Sequence, residues 1–216
     1  MILYFSRNYN PRLAVAVARY LEAPVRFEFS TPFHPDHAER FLALNPNQSV
    51  PILVDGDKVL WEADAIACKL SRLTGSQFWR RGDDEPDMIR WLSWGYWNFV
   101  RACDAIHFER VTKQRYGIGP IDNAKVTEGL EQFHSCAPIL DAALKDNGWL
   151  LGSDISYADF RLACLLPYAG DAQLPIGDYA NINAWNVRLS TIPAWRDPFT
   201  DLSAPPLPPI QMSASS

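Results

Sequence analysis

The sequence predicts an α/β first half built on a mixed four-stranded sheet, followed by an all-helical second half. Three observations carry this. Apolar patterns run in the order β-α-β-α-β-β-α over residues 1–74, a stretch rich in glycine and charge interrupts them at 75–86, and helical periodicity dominates from 87 to 203. A crossover helix joins parallel strands and a tight turn joins antiparallel ones, so this order implies a sheet of both kinds.

Each element has a local reason. Ile2-Leu3-Tyr4-Phe5 reads as a strand, and 11–22 as a helix with Leu13, Val17, Tyr20 and Leu21 on one face. Residues 25–29 fit a second strand and 35–43 a short helix. The segment 45–66 is the most informative. Val50-Pro51 opens a strand, Asp55-Gly56-Asp57 supplies a hairpin turn, a second strand follows, and a helix headed by Glu62 and Asp64 continues through Ile66, Ala67, Leu70 and Leu73. Pro51 lacks a backbone donor and suits a strand start, and an X-Pro bond is where a cis peptide costs least. A cis bond here would turn the Val50 backbone outward, open to pairing with an extended peptide.

In the second half, 88–114 forms a long aromatic-rich helix with Trp91, Trp94 and Trp97 spaced by three, then Phe99, His107 and Phe108. A second helix covers 122–145, with Pro138 expected to kink or split it. Ser156 and Asp159 form a capping box, with Ile155 and Phe160 as its hydrophobic staple. The residues that follow are apolar nearly all round, which predicts a buried helix at the axis of this half. A fourth helix lies near 182–190, and the proline-rich tail 204–216 is expected to be irregular.

Composition excludes several function classes. The net charge of −5, with Arg80-Arg81 offset by Asp83-Asp84-Glu85, offers no basic stripe for nucleic acid. No apolar run approaches the roughly 18 residues of a membrane span. The chain starts on a strand-like pattern in place of a leader, so a cytoplasmic address is expected. Cys68, Cys103, Cys136 and Cys164 are widely separated in apolar contexts. They read as reduced buried thiols, with neither a Cys-x-x-Cys pair nor a metal-ligand spacing.

Together, Asn45-Pro46, Val50-Pro51, Glu62-Ala63-Asp64-Ala65-Ile66 and Ser156…Asp159 resemble the cytosolic glutathione transferase family over nearly the whole chain. The resemblance implies a thioredoxin-like glutathione-binding domain at 1–74, a linker at 75–86 and the family's helical domain at 87–203. It implies glutathione as co-substrate without a metal, a small hydrophobic electrophile as second substrate, and a homodimer. By resemblance, Val50 and Pro51 would pair with the cysteinyl part of glutathione. The γ-glutamyl end would meet Glu62, Ala63 and Asp64 at a helix start, where free amides and the dipole favour a carboxylate. Ala63 replaces the family's usual hydroxyl, which implies weaker binding. His34 or His37 would reach the glycyl carboxylate, and the long helix, with Trp97 and His107, would line the electrophile pocket.

The thiol activator is the open question. A free thiol has a pKa of about 8.5, so the family must favour the thiolate. One alignment of Ser6-Arg7-Asn8-Tyr9-Asn10-Pro11-Arg12 puts Tyr9 at the family's serine and another puts Asn10 at its cysteine, with Ser6 available only if the loop is shifted. Arg7 or Arg12 could add a positive field. Without a cysteine there, thiolate stabilisation by hydrogen bonding replaces mixed-disulfide chemistry. The alternatives are a non-catalytic binding protein on the same fold, or a glutathione-dependent isomerase, lyase or dehalogenase.

Overall fold

The computed structural model describes residues 1–31 and 35–211, with side chains described within the second helix from Glu39 onward. The chain forms two compact units, Met1–Gly82 with Ser190–Pro205, and Asp83–Leu189 with the residues from Pro206 onward.

The first unit contains β1 (Ile2–Phe5), α1 (Tyr9–Tyr20), β2 (Arg26–Phe29), α2 (Pro35–Leu42), β3 (Ile52–Asp55), β4 (Lys58–Trp61) and α3 (Ala63–Leu73). The sheet order is β2-β1-β3-β4. β1 runs parallel to β2, with Leu3 opposite Phe27, and antiparallel to β3, with Leu3 opposite Leu53. The β3–β4 hairpin pairs Leu53 with Leu60. Alternation in β1 buries Leu3 and Phe5 and leaves Ile2 and Tyr4 half-buried, as one covered sheet face requires. α1 packs on α3, Leu13 to Ala18 being buried along it and Ile66, Ala67 and Leu70 along α3.

The predicted order is present, with a shift at α1. The helix expected at 11–22 begins at Tyr9, after Asn8, so Pro11 is its third residue. The first turn tolerates proline because its amides have no intrahelical partner in any case. Ser190–Pro205, including α11, groups by contact with the first unit.

The second unit begins with α4 (Glu85–Gly95), a π-helical turn (Tyr96–Val100), α5 (Arg101–His107), a second π-helical turn (Phe108–Thr112) and α6 (Lys113–Tyr116). The predicted long helix is therefore continuous but twice widened. α7 (Asn123–Ala143) carries Pro138 without splitting, and the Asp122 carboxylate accepts the amides of Ala124 and Lys125 at its start. α8 (Tyr157–Leu162), α9 (Ala169–Ala172) and α10 (Ala180–Ser190) complete this unit, and α11 (Pro193–Arg196) lies in the returning segment. Close helix approach relies on glycine at two points. A Cβ on Gly95 would stand 2.5 Å from Leu162 Cδ1, and one on Gly129 2.9 Å from Ile106 Cγ1.

α8 is the predicted buried axis. Tyr157 to Leu162 are all buried, and the capping box forms. The Asp159 carboxylate accepts the Ser156 amide (2.9 Å) and hydroxyl (3.0 Å), the Leu150 amide (3.0 Å) and the Trp185 indole N–H (3.1 Å). Burial nevertheless raises its pKa, with the hydrogen bonds acting in the opposite direction. Reduced thiols occur as expected: Cys103, Cys136 and Cys164 are buried, Cys68 is half-buried, and burial pushes Cys136 up to about 11.

Candidate functional site

Strand register gathers the candidate residues of the first unit at one end of its sheet. Ile52 lies opposite both Tyr4 and Trp61. Three segments distant in sequence therefore converge there: the loop leaving β1 at Ser6, the Val50-Pro51 entry to β3, and the β4–α3 junction at Glu62. β2 leaves the sheet at the same end, because Phe5 pairs with Phe29 in parallel register.

The Val50-Pro51 peptide is cis, as the sequence suggested. Asn45 shapes the approach to it, its side-chain amide donating to the Ser49 carbonyl (2.7 Å) and its oxygen accepting the Asn47 amide (3.0 Å). Asn45 is buried for that role.

Glu62 is the unexpected part of the site. It is exposed and adopts φ 72°, ψ 129°, outside the regions that L-residues favour. This conformation turns the chain from β4 directly into α3. The Glu62 carbonyl accepts the first helical bond from the Ile66 amide (3.0 Å), and the Glu62 side chain does not cap the helix start. The amides of residues 63–65 thus lie ahead of the first intrahelical bond, facing a half-positive helix end. Ala63 is buried and Asp64 is half-buried.

The first turn of α1 presents Tyr9 and Asn10 as half-buried side chains. Ser6 is turned inward, 1% exposed, with its hydroxyl oxygen accepting the Asn8 amide at 3.4 Å. Arg7 and Arg12 are anchored. Arg7 donates through Nε (3.1 Å) and Nη2 (2.8 Å) to the Ala204 carbonyl, and lies 4.5 Å over the Phe199 ring. Arg12 is buried, donates to the Trp195 carbonyl and lies 5.0 Å over its indole. Sequence reasoning missed these anchors, because nothing local links residues 7 and 12 to residues 195–204. His34 and the His37 side chain lie outside the described residues.

The comparisons with known proteins agree with this geometry. The glutathione S-transferase N-terminal domain model matches residues 1–70, and the C-terminal domain model matches 123–201. A probable glutathione S-transferase GSTF2 of Oryza sativa subsp. japonica is 31% identical, over 90% of this chain and 93% of the relative. The chain belongs to the glutathione S-transferase family.

Other kinship of this glutathione S-transferase is broader. A dichloromethane dehalogenase of Methylophilus leisingeri is 28% identical over 75% of this chain and 65% of that protein. The solved glutathione transferase F7 of Populus trichocarpa has a TM-score of 0.84 at 19% identity, covering 92% of this chain and 97% of its own, a likeness of fold.

In the helical unit of this transferase, the aromatic residues divide. Trp91 and Phe99 are buried, whereas Trp97 is 61% exposed and Phe108 41%. Trp97 lines an open cavity of about 460 Å³ with Asn98, Arg101, Glu131 and Gln132, and the Arg101 guanidinium lies 5.8 Å over its ring. His107 is instead buried, with the Tyr168 ring 5.3 Å away and Thr112 Oγ1 3.4 Å from its Nδ1. Burial, then the Arg115 charge, lower its pKa to about 4, against an opposing pull from Asp171. It is therefore neutral near pH 7. Among the described residues no cluster of His, Cys, Asp or Glu could hold a metal ion, and no helix is long and apolar enough to cross a membrane.

Proposed function

We propose that this family member binds glutathione at the sheet end formed by Val50-Pro51 and the β4–α3 junction, and conjugates its thiolate to a small apolar or aromatic electrophile. The observation that supports the reading most is Glu62. A non-glycine residue held at positive φ costs on the order of 1–3 kcal/mol, and such strain clusters where a ligand is held. Here it delivers a carboxylate for the glutathione ammonium beside the first-turn amides of α3, which would meet the adjacent carboxylate. Val50 has a backbone suited to strand-like pairing with the cysteinyl unit.

In this reading Tyr9 or Asn10 donates a hydrogen bond to the glutathione sulfur, lowers its pKa and leaves a nucleophile at neutral pH. The inward hydroxyl of Ser6 favours these two side chains over Ser6. Trp97 and His107 are assigned to the electrophile side by family resemblance. His107, being neutral and packed, would act as wall or hydrogen-bond partner. A cytoplasmic, detoxifying homodimer belongs to the same proposal. Exposed Val59 and Trp61 on β4 are apolar surface that a second copy could cover.

The test is the pH dependence of thiolate absorbance of bound glutathione in the wild type, Tyr9→Phe and Asn10→Ala, alongside turnover of halo-aromatic, isothiocyanate and hydroperoxide substrates. A depressed thiol pKa restored by one substitution would identify the activator. Binding without a depressed pKa and without turnover would favour the second reading, a non-catalytic glutathione-binding protein. Ala63 and the absence of serine or cysteine at positions 9 and 10 support that alternative. A dehalogenase, lyase or isomerase activity would appear as product formation without a stable conjugate.

A further inference from the structure

The first unit is completed by a strap from the far end of the chain. Residues 190–205 pack with it, α11 lies on α1, and three arginines bind successive strap carbonyls. Arg12 donates to Trp195, Arg19 to Thr200 and Arg7 to Ala204. The three differ in what they carry. Arg19 is near the distal end of α1, close to its last residue, Tyr20. Arg7 is within the turn that bears Tyr9 and Asn10.

That turn is clamped on both sides. Before it, Phe5 stacks on Phe199 at 5.8 Å between ring centroids and 17° between planes. Within it, Arg7 reaches Ala204 with two N–H groups and covers the same Phe199 ring. After it, Arg12 is buried on Trp195. The planar guanidinium fixes direction as well as distance, since two donors share one acceptor and the plane rests on a ring. A hydrogen bond to a developing thiolate demands positional accuracy of a fraction of an ångström, which supporting residues must supply.

We propose that the C-terminal strap sets the conformation of the 6–10 turn through Arg7, making Arg7 a positioning residue for thiol activation. The proposal rests on the transferase reading above for its consequence, but the coupling of strap to turn stands on geometry alone.

Arg7→Met removes the donors and the charge while retaining an unbranched side chain. Arg7→Lys retains the charge on a single donor nitrogen and loses the planar fork. Arg19→Met removes a strap contact of the same kind, away from the turn. Amide hydrogen exchange, measured on the full chain, reads the coupling directly. Backbone amides of residues 8–10 are expected to exchange at least tenfold faster in Arg7→Met, and at the wild-type rate in Arg19→Met. Equal exchange in all three proteins, or equal acceleration in both methionine variants, overturns the proposal.

Glutathione titrations supply the second readout. In Arg7→Met the thiol pKa of bound glutathione is expected to rise by about one unit toward 8.5, with kcat at neutral pH down about tenfold and the KM for glutathione within about threefold. Arg7→Lys should recover part of both. An unchanged thiol pKa in Arg7→Met, in a protein whose wild type depresses it, also overturns the positioning role. If the wild type depresses no thiol pKa, the transferase reading fails, and the exchange data still decide whether the strap sets the turn.

Discussion

Two helix starts in this molecule use carboxylates in opposite ways. At α8 the chain folds Asp159 back on its own first turn, and four donors from Leu150, Ser156 and Trp185 enclose it. At α3 the Glu62 side chain does not cap the helix, Glu62 is exposed at φ 72°, and the first amides precede the first intrahelical bond. The first arrangement satisfies every lone pair internally and stabilises the fold. The second leaves a dipole end and a strained residue at the surface, the condition in which binding an anionic peptide is favourable. The same residue types at the same kind of position thus serve structure or ligand according to whether the end is closed.

The largest expected effect lies on the closed side. Asp159→Ala strands buried donors and should cost about 3–5 kcal/mol, lowering Tm by roughly 10 °C for a chain of this size. Thermal denaturation checks it. A loss under 1 kcal/mol would remove the distinction between the two ends.

The next concerns acid. His107 sits near pKa 4 in the folded chain against an ordinary 6.5. The unfolded state therefore takes up the proton first as pH falls. Stability should decline from about pH 6.5 to about pH 4 by up to about 3 kcal/mol and then level off from this source. Urea titrations at pH 7 and 4.5 measure the loss, and His107→Phe should remove most of it.

On the open side, Glu62→Gly relieves the positive φ at some entropic cost, so stability should hold or rise by about 1 kcal/mol. Glutathione affinity should fall by about tenfold, measured by calorimetry. A variant that loses both would make Glu62 a structural residue like Asp159.

The smallest effect is Ala63→Ser, which restores the family's hydroxyl. It should tighten glutathione binding by about 1 kcal/mol, roughly fivefold, with little change in Tm.

Much of this contrast was legible in the sequence. Ser156…Asp159 with Ile155 and Phe160 announces a closed helix start, because capping requires fixed local spacing. Val50-Pro51 marks a place where a cis bond costs little, and the bond is cis. The conformation of Glu62 was not legible, since only the junction of β4 and α3 imposes it. The extra partners of Asp159 come from residues 9 and 26 positions away, beyond any local pattern. The helix expected at 11–22 begins two residues earlier, at Tyr9, because its first turn absorbs Pro11 where no intrahelical amide bond is lost. The strap was the hardest feature to foresee. Trp195 and Phe199 carry no mark of which unit they will cover, and their arginine partners lie almost a full chain length away.

That last separation has a consequence for biosynthesis. Arg7 and Ala204 are 197 positions apart, and more than a hundred residues lie between the two sequence pieces of the first unit. A ribosome adding about 5–20 residues per second would spend several seconds making that intervening stretch. Throughout, the nascent sheet would expose the apolar surface later covered by Trp195 and Phe199. The unit begun first stays open until residues 190–205 have been made.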